Sequence, residues 1–117
     1  MTYPQWREAF ASALDDRYYP IDWLDREVSS GRALFKETEN AAIVAKIEDY
    51  PSGARAIVGI CAAGDATEII GALIPQAEAL GKKLGCSSAF IDSREAWGRL
   101  LDGKGYVAYK SCIRKEL

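Results

Sequence analysis

Residues 55–86 constrain the fold more than any other part of the chain. Residues 55–63 are almost continuously apolar, which is typical of a strand covered on both faces. Residues 64–65 interrupt this run, and Gly85 follows the next segment at the place where a glycine commonly ends a helix. Between them, apolar residues recur at the spacing of one helix face, namely Ile69, Leu73, Ala77, Leu80 and Leu84. The stretch therefore predicts a strand that runs directly into a long helix, and such junctions often bind phosphate.

The long helix carries two further predictions. Pro75 removes one backbone hydrogen bond and predicts a bend, which Gly71 tolerates because it has no side chain to obstruct the proline ring. Glu78, Lys82 and Lys83 are expected on the outer face of the helix. The two lysines lie in its last turn, where a cation interacts favourably with the helix dipole, so they are interpreted as structural.

The remaining patterns predict one domain spanning residues 1–117. Before residues 55–86, the predicted elements are helices at residues 4–14 and from Pro20 to Gly31, and strands at 33–37 and 41–49. After the long helix come a strand at 87–91, a helix from Asp92 to Leu101 and a last strand at 106–116. A capping box of Asp92 and Glu95 is predicted to begin that last helix. The strand at 87–91 follows a helical crossover and should lie parallel to the strand at 55–63. This order favours an α/β (α+β) fold with a mixed, mostly antiparallel sheet and helices on both faces.

Composition excludes several function classes. A formal net charge of −2 and a pI near 5.2 argue against a general role on nucleic acid or at a membrane surface. The chain has no apolar run of about 18 residues that could span a bilayer. The first residues lack the basic and apolar regions of a signal peptide. The expected location is the cytoplasm, or a particle assembled there.

Histidine is absent from the sequence, which removes histidine-based triads and histidine metal sites. Three cysteines, Cys61, Cys86 and Cys112, form no C-x-x-C pair. They are interpreted as reduced, half-buried small hydrophobes, with a reactive thiol as the alternative. No acidic cluster has the spacing of metal ligands, so no metal site is predicted.

Several short strings occur together in residues 30–117. They are Ile47-Glu48-Asp49-Tyr50-Pro51, Leu84-Gly85-Cys86, Trp97-Gly98-Arg99-Leu100-Leu101, Gly105-Tyr106 and Arg114-Lys115-Glu116-Leu117. With the order of elements, they resemble the GNAT family of N-acetyltransferases, and more closely the small GNAT-like proteins encoded among bacteriophage structural genes. The resemblance implies a fold truncated at the N-terminus, since the usual first strand has no counterpart before the first helix.

The resemblance also implies where acetyl-CoA would bind. GNAT enzymes hold its pyrophosphate on a loop of the pattern R/Q-x-x-G-x-G/A at the start of the long helix. Here that loop falls on residues 65–70, with Asp65 in the basic position and Ala66, Glu68 and Ile70 in the glycine positions. Asp65 and Glu68 instead predict a capping box that fills the free N–H groups with carboxylates. At an effective dielectric constant near 20, each carboxylate would repel a phosphate about 4 Å away by ~4 kcal/mol.

The second mark of GNAT enzymes is a tyrosine late in the last helix that acts as general acid. Alignment on Gly105-Tyr106 places Leu101 at that position, so this tyrosine is missing. Tyr50, Tyr106 and Tyr109 are assigned to packing or surface roles. No catalytic residue is predicted.

Two hypotheses for the function follow. The first is a non-catalytic GNAT-fold phage protein that acts by contact with other virion or assembly proteins, without a cofactor, in the host cytoplasm or the phage particle. Its partner surface would be sought among the aromatic residues Trp6, Phe10, Tyr18, Tyr19 and Trp23, and an open last strand would allow a homo-oligomer.

The second hypothesis is an acyl-CoA-dependent N-acetyltransferase with an atypical cofactor loop. By analogy with the fold, the pantetheine arm would run along residues 60–63. The cofactor-binding residues would then be Cys61, Ala63, Gly64, Ala66 and Thr67.

Overall fold

The computed structural model describes residues 2–92 and 96–117. In chain order it contains α1 (Tyr3–Ala13), α2 (Ile21–Ser29), β1 (Ala33–Glu37), β2 (Ala41–Asp49), β3 (Arg55–Gly64), the long helix α3 (residues 66–83, built from Ala66–Glu68, Ile69–Leu73 and Ile74–Lys83), β4 (Ser88–Ile91) and α4 (Ala96–Leu100). The elements predicted up to β4 are all present, with nearly the predicted bounds. The predicted capping box of Asp92 and Glu95 involves Glu95, which lies outside the described residues.

The sheet has four strands in the order β1-β2-β3-β4. β1 pairs with β2 and β2 with β3 in antiparallel fashion, whereas β3 and β4 are parallel. A single helix, α3, connects the two parallel strands, which is the usual way to join parallel neighbours. The prediction of a mixed, mostly antiparallel sheet is confirmed.

Helices cover both faces of this sheet. On one face, α1 and α2 enclose a core cluster of Trp6, Phe10, Leu24, Ala33, Ala42 and Val44. On the other face, α3 encloses Ala41, Ile43, Ile69 and Leu73, with Trp97 of α4 packed against them. Successive residues of β2 thus contribute to opposite clusters, as the alternation of side chains along a strand requires. Burial on both faces explains why residues 41–45 of this strand are continuously apolar.

Helix α3 accommodates its proline by a change of helix type. The segment Ile69–Leu73 is π-helical, and Ile74 donates its N–H to the carbonyl of Ile69, one residue further back than in an α-helix. Pro75, which has no N–H to donate, follows directly. A Cβ built on Gly71 would meet no atom within 4 Å. The interpretation that Gly71 makes room for the proline ring is therefore wrong.

Residues 106–117 contain no strand, so the predicted last strand is wrong. Among the described residues, no backbone–backbone hydrogen bond involves this segment. Side chains hold it instead: the Tyr109 ring lies 5.7 Å from the Phe90 ring, and Glu116 pairs with Arg17. Its apolar side chains are largely exposed, namely Val107, Ile113 and Leu117. A period of two in the sequence marks a strand only where a neighbouring backbone is there to pair with it.

The described helices include none with the length and apolar character needed to cross a bilayer.

Candidate functional site between β3 and β4

β3 and β4 separate halfway along β3. Their pairing ends at Gly59 and Ile91, and the N–H of Asp92 makes a last, long bond of 3.4 Å to the carbonyl of Gly59. A register shift in the β2–β3 pairing leaves Ile60 as an extra residue at the same level. From there to Gly64, the edge of β3 that faced β4 pairs with no other strand in the described part of the chain. The bulge and the separation together open a gap beside an unpaired strand edge.

An apolar cavity of about 70 Å³ lies next to this gap. Its wall is mostly aliphatic and aromatic, with side chains from both sheet and helices: Ile43, Ile57, Ile69, Ile74, Ala77 and Trp97. The volume is smaller than the ~150 Å³ of an engineered cavity that binds benzene. The cavity is therefore of a size for a group of a few heavy atoms rather than for a large ligand.

Two polar side chains in the cavity wall form a hydrogen bond that the sequence did not reveal. The Tyr106 hydroxyl donates to Oε2 of Glu78 at 2.8 Å, and both residues line the cavity. Burial and this hydrogen bond raise the pKa of Tyr106 well above its usual value, so the hydroxyl keeps its proton at neutral pH.

The prediction that Glu78 lies on the outer face of the helix is wrong, although the sequence held a signal for its true position. Glu78 follows Ile74 by four residues, and residues four apart share a helix face. Ile74 and Ala77 both line the cavity.

The residues predicted to bind the cofactor lie along one path from the cavity to the start of α3. Cys61 and Ala63 both pack against the cluster under α1 and α2, and Cys61 also lines the cavity. Gly64 ends β3, and Ala66 and Thr67 form the first turn of α3. Burial raises the pKa of the Cys61 thiol to about 12, which favours the unreactive thiol over the thiolate at neutral pH.

Gly64 fixes the junction between β3 and α3. Its φ is +95°, and a Cβ at this position would lie 2.2 Å from the carbonyl oxygen of Asn40 and 2.8 Å from Cα of Ala41. The next residue, Asp65, donates its N–H to the same Asn40 carbonyl at 2.9 Å. The backbone at the start of α3 is therefore pressed against the turn between β1 and β2.

The N-terminus of α3 matches half of the predicted capping box. Oδ1 of Asp65 accepts the N–H of Thr67 at 2.8 Å, as predicted for a helix cap. Glu68 does not reach back along the helix, so that half of the prediction is wrong. Its Oε1 accepts the N–H of Asn40 at 3.1 Å, and hydrogen bonds from Thr38 and Asn40 lower the pKa of its carboxyl group. The turn between β1 and β2, distant in sequence, provides these donors.

The proposed aromatic partner surface divides into buried and exposed residues. Trp6 and Phe10 are 8% and 0% exposed and belong to the core, because α1 packs this side of the helix on the sheet. Trp23 is half-buried, with the Lys46 ammonium 5.9 Å from its ring. Only Tyr18 and Tyr19, at 52% and 50%, offer substantial exposed surface among these five.

The described ranges, 2–92 and 96–117, contain no group of three or more His, Cys, Asp or Glu side chains placed to hold a metal ion.

Comparison of the sequence with protein-family models and with curated proteins finds no match. Among solved structures, the chain is similar to ribosomal-protein-alanine N-acetyltransferase from Brucella melitensis, with 14% identity, coverage of 97% of this chain and 94% of that chain, and a TM-score of 0.65. It is also similar to glucosamine-6-phosphate N-acetyltransferase from Arabidopsis thaliana, with 14% identity, coverage of 99% and 94%, and a TM-score of 0.64. A predicted acetyltransferase from Clostridium acetobutylicum, solved with acetyl-CoA, gives 8% identity, coverage of 88% and 76%, and a TM-score of 0.64. The chain therefore has the GNAT fold of these acetyltransferases.

Proposed function

We propose that this chain is an N-acyltransferase with an atypical cofactor loop, which binds an acyl thioester in the gap between β3 and β4. The observation that carries the proposal is the edge of β3 beyond Gly59, which pairs with no strand in the part of the chain that the structure describes and lies beside an apolar cavity. An unpaired strand edge can bind an extended chain of amide groups through backbone hydrogen bonds. A pantetheine arm is such a chain. The cavity takes its acyl end, and a solved structure of the same fold that holds acetyl-CoA supports this choice of donor.

The chemistry requires a group that accepts the proton of the attacking amine. Glu78 is the candidate base in the cavity wall, and Tyr106 holds its carboxylate in place through the hydrogen bond of 2.8 Å. The new C–N bond forms as the C–S bond breaks, the amine proton passes to Glu78, and the departing thiolate takes a proton from solvent. This assignment departs from the sequence analysis, which predicted no catalytic residue.

Blocking the cavity tests the donor site. Ala77→Leu places a larger side chain in the cavity wall, where it should displace the acetyl group of a bound thioester. We expect the affinity for an acetyl thioester to fall about tenfold, which corresponds to about 1.4 kcal/mol of binding free energy. Ala79→Leu is the matched control, because Ala79 is exposed on the same helix. Calorimetry with acetyl-CoA and with S-acetylpantetheine measures both variants. Equal affinities of the two variants would exclude the cavity as the acyl site.

Removing the candidate base tests the reaction separately from binding. Glu78→Gln keeps the size of the side chain but cannot accept the amine proton, so release of thiol in the presence of a primary amine should fall about 100-fold. Donor affinity should stay within about twofold, because the acyl group rests on apolar atoms. Gln76→Glu, on the exposed face of α3, is a control for altered helix charge. Release of thiol by Glu78→Gln at the wild-type rate would show that Glu78 is not the base.

The exposed pair Tyr18 and Tyr19 favours a second candidate function, contact with another protein. The ring of Tyr19 lies 5.0 Å from that of Trp23, and the guanidinium groups of Arg17 and Arg114 lie 5.3 and 6.0 Å from the ring of Tyr18. Aromatic and arginine side chains are enriched where proteins bind each other. The proposal that this partner belongs to a virion or its assembly, and that the chain has a phage origin, rests on the resemblance in sequence. Within the described residues β4 is an edge strand of the sheet, and its outer edge would suit a second copy of the chain.

A further inference from the structure

Oxygen atoms of the protein already bind two of the N–H groups at the start of α3 that an anion could use. A helix N-terminus attracts phosphate because its first N–H groups lack partners within the helix. Here the N–H of Asp65 is bonded to the carbonyl of Asn40, and the N–H of Thr67 is bonded to the carboxylate of Asp65. Two donors at the helix start are therefore already occupied before any ligand arrives.

Rearrangement of this junction is obstructed by packing. Gly64 has no space for even one more carbon atom against Asn40 and Ala41. Glu68 ties the first turn of α3 to the N–H of Asn40 at 3.1 Å. Opening the loop to release N–H groups would break these contacts together, and it would leave the Asp65 carboxylate beside the ligand.

The strand edge and the helix start thus differ in what they can bind. The edge of β3 beyond Gly59 pairs with no strand among the described residues and lies beside an apolar cavity, which suits an uncharged arm and a small acyl group. The start of α3 presents the exposed carboxylate of Asp65, which repels a diphosphate.

We infer that the donor site recognises an acylated pantetheine through its arm and acyl group alone, and gains no affinity from the diphosphate of a nucleotide-bearing donor. The inference rests on the proposed function, since it concerns the same gap between β3 and β4. It narrows the donor to the class of acyl-pantetheine thioesters, whatever is attached at the far end of the arm.

Calorimetry with S-acetylpantetheine and acetyl-CoA on the wild-type chain provides the test. We expect acetyl-CoA to bind no more tightly than S-acetylpantetheine. Asp65→Asn should tighten acetyl-CoA about tenfold and leave S-acetylpantetheine within about twofold, because only acetyl-CoA brings phosphates to the helix start. Asp16→Asn, an equal change of charge on the exposed connector between α1 and α2, should leave both affinities within about twofold.

The outcomes separate this inference from the proposed function. Acetyl-CoA binding at least tenfold more tightly than S-acetylpantetheine to the wild-type chain would overturn the inference and leave the N-acyltransferase proposal standing. Failure of both thioesters to bind at millimolar concentration would overturn both. An equal gain of acetyl-CoA affinity in Asp65→Asn and Asp16→Asn would also overturn the inference, since it would assign the repulsion to the net charge of the chain.

Discussion

Gly64→Ala should lower the free energy of unfolding by about 3–5 kcal/mol, a large part of the 5–15 kcal/mol typical of a domain. Two costs add up. The φ of +95° is strained for a residue with a side chain, and the added Cβ would lie 2.2 Å from the Asn40 carbonyl oxygen. That oxygen cannot move freely, because it accepts the N–H of Asp65 at 2.9 Å. Thermal and urea unfolding measure the loss.

Gly85→Ala separates the two costs. Gly85 also has a positive φ, +85°, but a Cβ there would meet no atom within 4 Å. It should therefore show the backbone strain alone, about 1–2 kcal/mol. Equal losses for the two variants would mean that the close approach of Gly64 to the turn between β1 and β2 contributes nothing.

The elements that the sequence predicted correctly are those whose signal is local. The apolar run of β3, the helical spacing of α3 and the turn after Asp49 each fix a structure within about ten residues, and the structure contains all of them. The segment 106–117 fails because its alternation required a neighbouring strand edge that the sequence cannot reveal. The π-helical turn before Pro75 was missed for a similar reason, since a proline predicts a disruption but not how the backbone accommodates it.

The candidate site was predictable in position but not in its contacts. The sequence located the start of α3, and Asp65 caps it as predicted. Glu68 was misassigned because its partner, Asn40, is 28 residues away in the sequence. The bond between Tyr106 and Glu78 likewise spans 28 residues. Contacts of this kind depend on how the elements pack, and a single sequence carries no direct signal for them.

The aromatic residues of α1, of α2 and of the connector between them divide into core and surface. Mutation should separate the two groups by the free energy of unfolding that each substitution costs. Phe10 is fully buried, with its ring 6.0 Å from that of Tyr3 and 6.2 Å from that of Phe35. Phe10→Ala should cost about 3–5 kcal/mol through lost burial and the cavity that it leaves. Phe10→Leu, which keeps most of the volume, should cost about 1.5 kcal/mol and yields a folded variant if the alanine chain does not fold.

Tyr19→Ala is the surface counterpart, because half of this side chain is exposed and its main contact is the Trp23 ring at 5.0 Å. It should cost about 1 kcal/mol or less, the value of an exposed aromatic pair. If the chain acts by protein contact, capture of a partner should fall with Tyr19→Ala and survive in Phe10→Leu, since only the tyrosine reaches the surface. A loss of stability in Tyr19→Ala as large as that in Phe10→Ala would place Tyr19 in the core and remove it from any docking surface. Urea unfolding of the three variants beside the wild type decides between these assignments, and it does so without knowledge of the partner.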